Sequence, residues 1–202
     1  MATCWDKEKR KKVSMILPLE FYKREDVCVV AKELLGKYLF TCIDGQITGG
    51  MILETEAYAG ATDKACHAYN NRRTKRTETM FQEGGISYVY LCYGMHCLLN
   101  VVTNKRDTPH AALIRSVQAE IGTTMIQERR KNSSTFLNGP GKVCSGLGIT
   151  REHNGFSFQS KTVWIEDRGI HFKENQIIST PRIGVDYAEE DAFLPWRYYV
   201  TN

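Results

Sequence analysis

Two carboxylates stand two residues apart in the stretch Gly49-Gly50-Met51-Ile52-Leu53-Glu54-Thr55-Glu56-Ala57-Tyr58-Ala59-Gly60, which is otherwise largely apolar. It reads as a strand through Tyr58. Strand side chains alternate faces, which puts Ile52, Glu54, Glu56 and Tyr58 on one side and Met51, Leu53, Thr55 and Ala57 on the other. Most carboxylates in proteins are solvated surface groups. Here the flanks are apolar, an aromatic follows, and a loop containing His67 comes next. A desolvated carboxylate must be paired or stay neutral, and one at a strand end facing a His and aromatics is where general-base chemistry is set.

Four further groups could take part. Arg115 ends the apolar run at residues 111–115, and its spacing fits a surface Arg and a cation aimed into a site equally well. Residues 63–76 are irregular and carry Arg72, Arg73, Lys75 and Arg76, a loop that is either simply solvated or able to hold phosphates. Tyr93 sits between two strand-like runs, at the apparent tight turn Tyr93-Gly94. Three Tyr in this region suit ordinary strand filler, but a large side chain at a hairpin tip also suits a wedge between base pairs. The two readings are even. Lys142 follows Gly139-Pro140-Gly141 without the spacing of a nucleotide-phosphate loop, and it remains a candidate phosphate contact.

The elements that position these groups follow from pattern. Apolar residues at helical spacing predict a helix over 24–35, stopped by Gly36. A strand over 38–43, an Asp44-Gly45 turn and the carboxylate strand make a hairpin. A helix over 122–131 ends in Arg129-Arg130-Lys131, favourable to its dipole. Strand-like pieces follow at 162–166, 181–185 and 196–200.

The 202 residues suit one domain, 42% hydrophobic and 25% charged, with a formal charge of +4 that suits a polyanionic partner. Residues 1–14 read as a flexible basic arm and 15–202 as the single domain. The seven Cys show no C-x-x-C pair, and Cys66-His67 and Cys92…His96-Cys97 lack structural-zinc spacing. Free thiols in a reducing compartment are expected, with no metal, no cofactor and no membrane span.

These pieces resemble the alkyladenine (3-methyladenine, or methylpurine) DNA glycosylase family. The resemblance rests on Leu53-Glu54-Thr55-Glu56-Ala57-Tyr58-Ala59-Gly60, Ala65-Cys66-His67, Arg73-Thr74 with Met80-Phe81, Tyr88-Val89-Tyr90-Leu91-Cys92-Tyr93-Gly94-Met95-His96 and Asn100-Val101-Val102-Thr103. It continues through Leu113-Ile114-Arg115, Asn138-Gly139-Pro140-Gly141-Lys142, Pro181-Arg182-Ile183-Gly184-Val185 and Trp196-Arg197-Tyr198-Tyr199-Val200. The motifs run in the family's order over nearly the whole chain, in a version closer to bacterial members than to the mammalian enzyme.

The resemblance implies an α+β fold with a curved, mostly antiparallel sheet, a protruding β-hairpin and surrounding helices. It implies an enzyme that flips alkylated or deaminated purines (3-methyladenine, 7-methylguanine, hypoxanthine, ethenoadenine) from double-stranded DNA and hydrolyses the N-glycosidic bond, monofunctional and without lyase activity. Glu56 then corresponds to the general base, with Arg115 and the Ile183 carbonyl holding its water. Tyr58, His67, Tyr90 and Ala65 correspond to the base pocket, Asn100 to the residue crowding guanine's amino group, and Tyr93 to the intercalating side chain. Glu54 is expected to be tied up by a hydrogen bond or a cation. A monomer inside the cell is implied, in a bacterial cytoplasm (nucleoid) or a eukaryotic nucleus.

Three positions depart from the family pattern: Gln118-Ala119 for Glu-Pro, Gln82-Glu83 for Gly-Pro, and Gly146 for Ala. A zinc deaminase is the rival enzyme, but its H-x-E and P-C-x-x-C ligands are absent from the sequence. A non-catalytic binding module is the other rival, since the family resembles in fold the C-terminal domain of methionyl-tRNA formyltransferase. The joint presence of Glu56, Arg115 and the pocket aromatics speaks against it.

Overall fold

A computed structural model describes residues 15–200. The basic arm expected at residues 1–14 lies outside them. In chain order the elements are β1 (Met15–Ile16), α1 (Leu19–Tyr22), α2 (Val27–Glu33), β2 (Tyr38–Ile43), β3 (Gln46–Tyr58), β4 (Ser87–Cys92) and β5 (His96–Thr103). They continue with β6 (His110–Ile121), α3 (Thr123–Arg130), β7 (Phe136–Asn138), α4 (Pro140–Leu147), β8 (Val163–Asp167), β9 (Ile177–Thr180) and β10 (Arg197–Val200). The strands form one open antiparallel sheet with the path β1-β8-β2-β3-β6-β5-β4; β10 pairs with β3 and β9, and β7 with β6. The architecture is α+β.

The carboxylate strand, β3, is the middle of this sheet. Its first half pairs with β2 through the Asp44-Gly45 turn, where both residues have positive φ, as a two-residue hairpin connection requires. Its second half pairs with β10, and its other edge runs along β6 from Gly49 to Tyr58. The Gly pair is needed for close approach: a Cβ on Gly50 would stand 2.0 Å from the Gln118 carbonyl oxygen of β6.

Two register shifts flank Glu54. Ile52 pairs with Val117 and Glu54 with Ser116, so Leu53 is an extra residue on β3. Strict alternation fails there: Ile52, expected beside the carboxylates, is in the apolar core together with Leu53. Thr55 then pairs with Ile114, which leaves Arg115 without a ladder partner, directly across from the carboxylates.

The core fills the sheet face covered by α2 and α4, with Val30, Leu34, Leu53, Ala57, Ile114, Val117, Val143 and Leu147 buried together. Thr55 on that face donates its hydroxyl to the Ala31 carbonyl in α2. A second, smaller cluster on the opposite face joins Cys66, Ala68, Met80 and Phe81 of the 59–81 loop to Tyr88, Val102 and Ala111. That loop thus roofs the face on which Glu56 and Tyr58 stand.

Several expectations are corrected. The helix foreseen over 24–35 is shorter, because the Asp26 carboxylate accepts the Cys28 and Val29 N–H groups and so starts the helix at Val27. The segment after Asn138 is a helix, α4, with Pro140 in its first turn and Gly148 in the left-handed region at its end. Residues 181–185 form a loop instead of a strand. Pro181 has no N–H to donate, and Gly184 has a φ of +74°. The neighbouring strand is β9. The β4–β5 tip holds three residues, Tyr93, Gly94 and Met95, closed by the Met95 N–H on the Cys92 carbonyl at 3.1 Å.

The departures have local accounts. A Cβ on Gly146 would stand 2.8 Å from a Leu137 methyl, so Leu137 occupies the space of an Ala side chain there. Glu83 pairs with Lys23 at 3.0 Å. The Gln118 amide reaches the Thr135 hydroxyl at 3.3 Å.

Candidate active site

The roofed face of the sheet holds a cavity of about 410 Å³. Alternate residues of three strands form its floor: Tyr88 and Tyr90 of β4, Leu98 and Asn100 of β5, and Ala111, Leu113 and Arg115 of β6. Tyr58 ends β3 at one wall. Ala65, Cys66 and His67 come from the loop above, and Ile183 to Val185 with Tyr187 from the late loop. Tyr93 lines its outer edge.

Glu56 lies just beneath this cavity and is fully buried. Its Oε1 accepts the Ile183 backbone N–H at 2.8 Å. Its Oε2 accepts the Tyr58 hydroxyl at 2.9 Å and Arg115 Nη1 at 3.2 Å. A carboxylate has about four acceptor positions. Three are used, and the remaining one is on Oε1 beside Ile183. Burial raises the Glu56 pKa above the usual carboxylate range, against the opposing pull of Arg115, the Ile183 N–H and the Tyr58 hydroxyl; Glu54 adds slightly to the rise. Burial, and after it the Glu56 charge, push Tyr58 well above the ordinary phenol range, so Tyr58 remains a donor.

Glu54 is held by two cations. Its Oε1 accepts Arg115 Nε at 3.1 Å and Arg197 Nε at 2.6 Å. The order of contact is Arg197, Glu54, Arg115, Glu56, a neutral chain of alternating charges across β10, β3 and β6. Replacing Glu54 by Gln would leave Arg197 with no carboxylate among the described residues, whereas Arg115 would still have Glu56. The expected cost is about 2–3 kcal/mol of stability, below that of a fully buried pair because Arg197 is partly exposed. Urea denaturation measures it, and an unchanged midpoint would show that Glu54 does not hold these charges.

His67 sits in the opposite wall. Arg76 Nη2 lies 3.2 Å from His67 Nε2, and a guanidinium only donates, so that ring nitrogen accepts. The proton is then on Nδ1, 3.0 Å from the Tyr88 hydroxyl. Burial chiefly, with Arg76 and Arg72 nearby, pulls the His67 pKa down to about 4, so the ring is neutral near pH 7. Its ring is edge-on to Tyr90 at 4.6 Å between centroids, and the Arg76 guanidinium lies 4.9 Å from the Tyr90 ring centre. Asn100 is buried and donates its amide to the Tyr88 carbonyl at 3.2 Å.

Outside the cavity, Tyr93 is 89% exposed at the hairpin tip and Met95 beside it 72%. Arg72, Lys75, Arg76 and Lys142 are exposed and make no ion pair among the described residues. Arg73 differs from its neighbours: Glu78 and Asp107 hold its guanidinium at 2.6 and 2.8 Å. Two cation-lined recesses adjoin the site, one with Arg72 and Arg76 beside His67, the other with Lys75, Arg76 and Arg151 along β4.

Sequence reading thus named Glu56, Arg115, Ile183, Tyr58, His67, Tyr90, Asn100 and Ala65, and the structure brings them to one place. It passed over Arg197, Tyr88, Tyr187, Asp63 and Arg182. Alternation from Tyr90 reaches Tyr88, but nothing in residue spacing joins Arg182 to Asp63. The Ile183 group that touches Glu56 is its N–H.

A family model described as methylpurine-DNA glycosylase matches residues 20–202. A protein of Chlamydia felis (strain Fe/C-56), under the provisional name 3-methyladenine DNA glycosylase, is 49% identical over 187 residues, covering 91% of this chain and 95% of its own length. Proteins with the same provisional name from Bdellovibrio bacteriovorus and Clostridium perfringens are 45% and 41% identical, each covering 93% of this chain and 96% and 97% of their own lengths. With matches of this extent, and with the motif residues gathered around one cavity, the chain belongs to the methylpurine-DNA glycosylase family.

Proposed function

We propose that the protein flips a damaged purine nucleotide out of double-stranded DNA into the aromatic cavity and hydrolyses its N-glycosidic bond, with Glu56 as general base. The observation that carries this reading is a fully buried carboxylate under a cavity walled by Tyr58, His67 and Tyr90. The free acceptor position on Oε1 faces the Ile183 backbone, and Arg115 stands on the other side. A water held there by Arg115 and the Ile183 carbonyl would give its proton to Glu56 as it attacks the sugar carbon. The same charge would stabilise the oxocarbenium-like sugar.

Aromatic faces suit both cationic bases such as 3-methyladenine and 7-methylguanine and neutral ones such as hypoxanthine and ethenoadenine. Asn100 on the floor would crowd the exocyclic amino group of a normal guanine. Tyr93 would fill the gap the flipped nucleotide leaves. Arg72, Lys75, Arg76 and Lys142 would meet backbone phosphates, with Arg73 more engaged in holding its own loop. Among the described residues no lysine lines the cavity, and Lys64 in the adjoining recess is bound by Glu189 and Glu190. Among the described residues a covalent Schiff base thus has no lysine nucleophile at the site, which supports a monofunctional hydrolase. The protein would act as a monomer wherever genomic DNA is kept.

The test is an alkali-cleavage assay on duplexes that each carry one of these four lesions. The expected result is strand breakage only after alkali, which reveals an abasic site made by the protein. Breakage without alkali would contradict the monofunctional reading, and no breakage on any lesion would overturn the glycosylase reading.

A further inference from the structure

Arg182 and Asp63 lie behind the cavity wall, with both side chains completely buried. Arg182 Nη1 and Nη2 meet Asp63 Oδ2 and Oδ1 at 2.5 and 2.8 Å. Nη1 also donates to the Ala57 carbonyl at 2.9 Å and Nη2 to the Asp191 carbonyl at 3.2 Å. Asp63 in turn accepts the Ala59 and Ala65 N–H groups at 3.1 and 3.0 Å. The guanidinium lies 4.8 Å from the Tyr58 ring centre and 5.1 Å from that of Trp196. Arg182 Nε is buried without a hydrogen-bond partner among the described residues.

A buried ion pair contributes little net stability compared with well-packed apolar residues, and an orphaned buried donor subtracts from it. What the pair does here is geometrical. Its contacts fall on Ala57 and Tyr58, which follow Glu56 on β3, and on Ala59 and Ala65 of the cavity loop. Arg182 is also the residue before Ile183. We propose that Arg182, clamped by Asp63, is a positioning residue for Glu56. It fixes the late loop so that the Ile183 N–H reaches Oε1, and it braces the Tyr58 ring so that its hydroxyl reaches Oε2.

This inference rests on Glu56 being the general base. The charged and titratable groups facing Glu56 are Glu54 and Tyr58 from β3, Arg115 from β6, Arg182 from the late loop, and Arg197 of β10 through Glu54. The Ile183 N–H and the Tyr58 hydroxyl are two of the three interactions that favour the ionised form of Glu56 against burial. Loosening both should make its proton harder to remove.

The double variant Asp63→Asn with Arg182→Met removes both buried charges together. Single-turnover excision from a lesion duplex would be followed against pH, with circular dichroism to establish folding and anisotropy to measure binding. The expected result is a folded protein that binds DNA within about threefold of wild type, excises about 10- to 100-fold more slowly at pH 7, and has its acidic limb raised by about one pH unit. Should the double variant not fold, Arg182→Lys decides by the same readouts; it keeps the charge but cannot make the fork to Asp63 and both carbonyl contacts. A wild-type rate in a folded variant would overturn the proposal. So would a slower rate with an unmoved limb, which is what general loosening of the fold gives. Wild type and Glu56→Gln run alongside separate the two claims: failure of those controls removes the general-base reading itself, while normal controls with wild-type-like Arg182 variants remove only this inference.

Discussion

Replacing Glu56 by Gln should lower single-turnover base excision by about 10³–10⁴-fold while leaving affinity for lesion DNA within a few-fold. The upper range of a general base is expected because Glu56 would supply both proton acceptance and charge stabilisation. The side chain reaches no surface that DNA would touch, so binding is spared. In wild type, the rate should fall as pH drops through the raised Glu56 pKa, at higher pH than for an exposed glutamate. The neutral His67, with its pKa near 4, should not contribute to that limb. Stability carries the opposite sign. A folded-state pKa raised above the unfolded value contributes stability that is present below about pH 4.5 and lost as pH rises through the folded value. Glu56→Gln should therefore melt at or above wild type near pH 7.5, with Arg115 still held by Glu54. Retained turnover would sink the mechanism; a markedly lower melting temperature would recast Glu56 as a structural residue.

Removing the hairpin wedge is the second large effect. Tyr93→Ala should weaken binding to a duplex with an abasic-site analogue by about 10- to 100-fold, the loss of one aromatic–base stack at about 1–3 kcal/mol. Tyr93 buries almost nothing in the protein, so melting should barely move. The backbone already holds Tyr93 at a φ of +49°, which presents the side chain outward at the tip. Fluorescence anisotropy gives the affinity, and an unchanged value would mean that the tip stays out of the helix. Met95, somewhat less exposed, should account for a smaller share, because a thioether cannot stack as a ring does.

What could be read from residue order was local. The 38–58 hairpin was legible because Asp44-Gly45 is a strong turn signal between β-prone runs, and its register follows from the turn. Spacing alone left the tyrosines and Arg115 undecided, although Tyr88 and Tyr90, like Ala111, Leu113 and Arg115, do alternate onto one face. Tyr58, His67 and Tyr90 were legible through the resemblance of their motifs. The position of Ile52 was not, since a bulge depends on the partner strand β6 and leaves no mark in β3 alone. The 181–185 loop was misread as a strand because Ile183 and Val185 have the right composition. Its shape is set by Arg182 turning inward to an aspartate 119 residues earlier. Charge chains such as Arg197, Glu54, Arg115, Glu56 are likewise visible only once three strands lie side by side.

The Glu56 environment is assembled from widely separated parts of the chain. Its backbone donor, Ile183, is 127 residues downstream, and the second cation on Glu54 is 143 residues from it. During synthesis, a ribosome that has passed residue 180 has already produced the hairpin, the aromatic walls and most of the sheet. At that stage β3 lacks the strand that covers its Glu54–Glu56 half. Long-range closures of this kind come late in folding, since the loop entropy must be overcome before the contacts reward it. Nascent chains should thus be able to touch DNA before they can cut a base from it, and the competence to hydrolyse should arrive only when residues 182–200 dock.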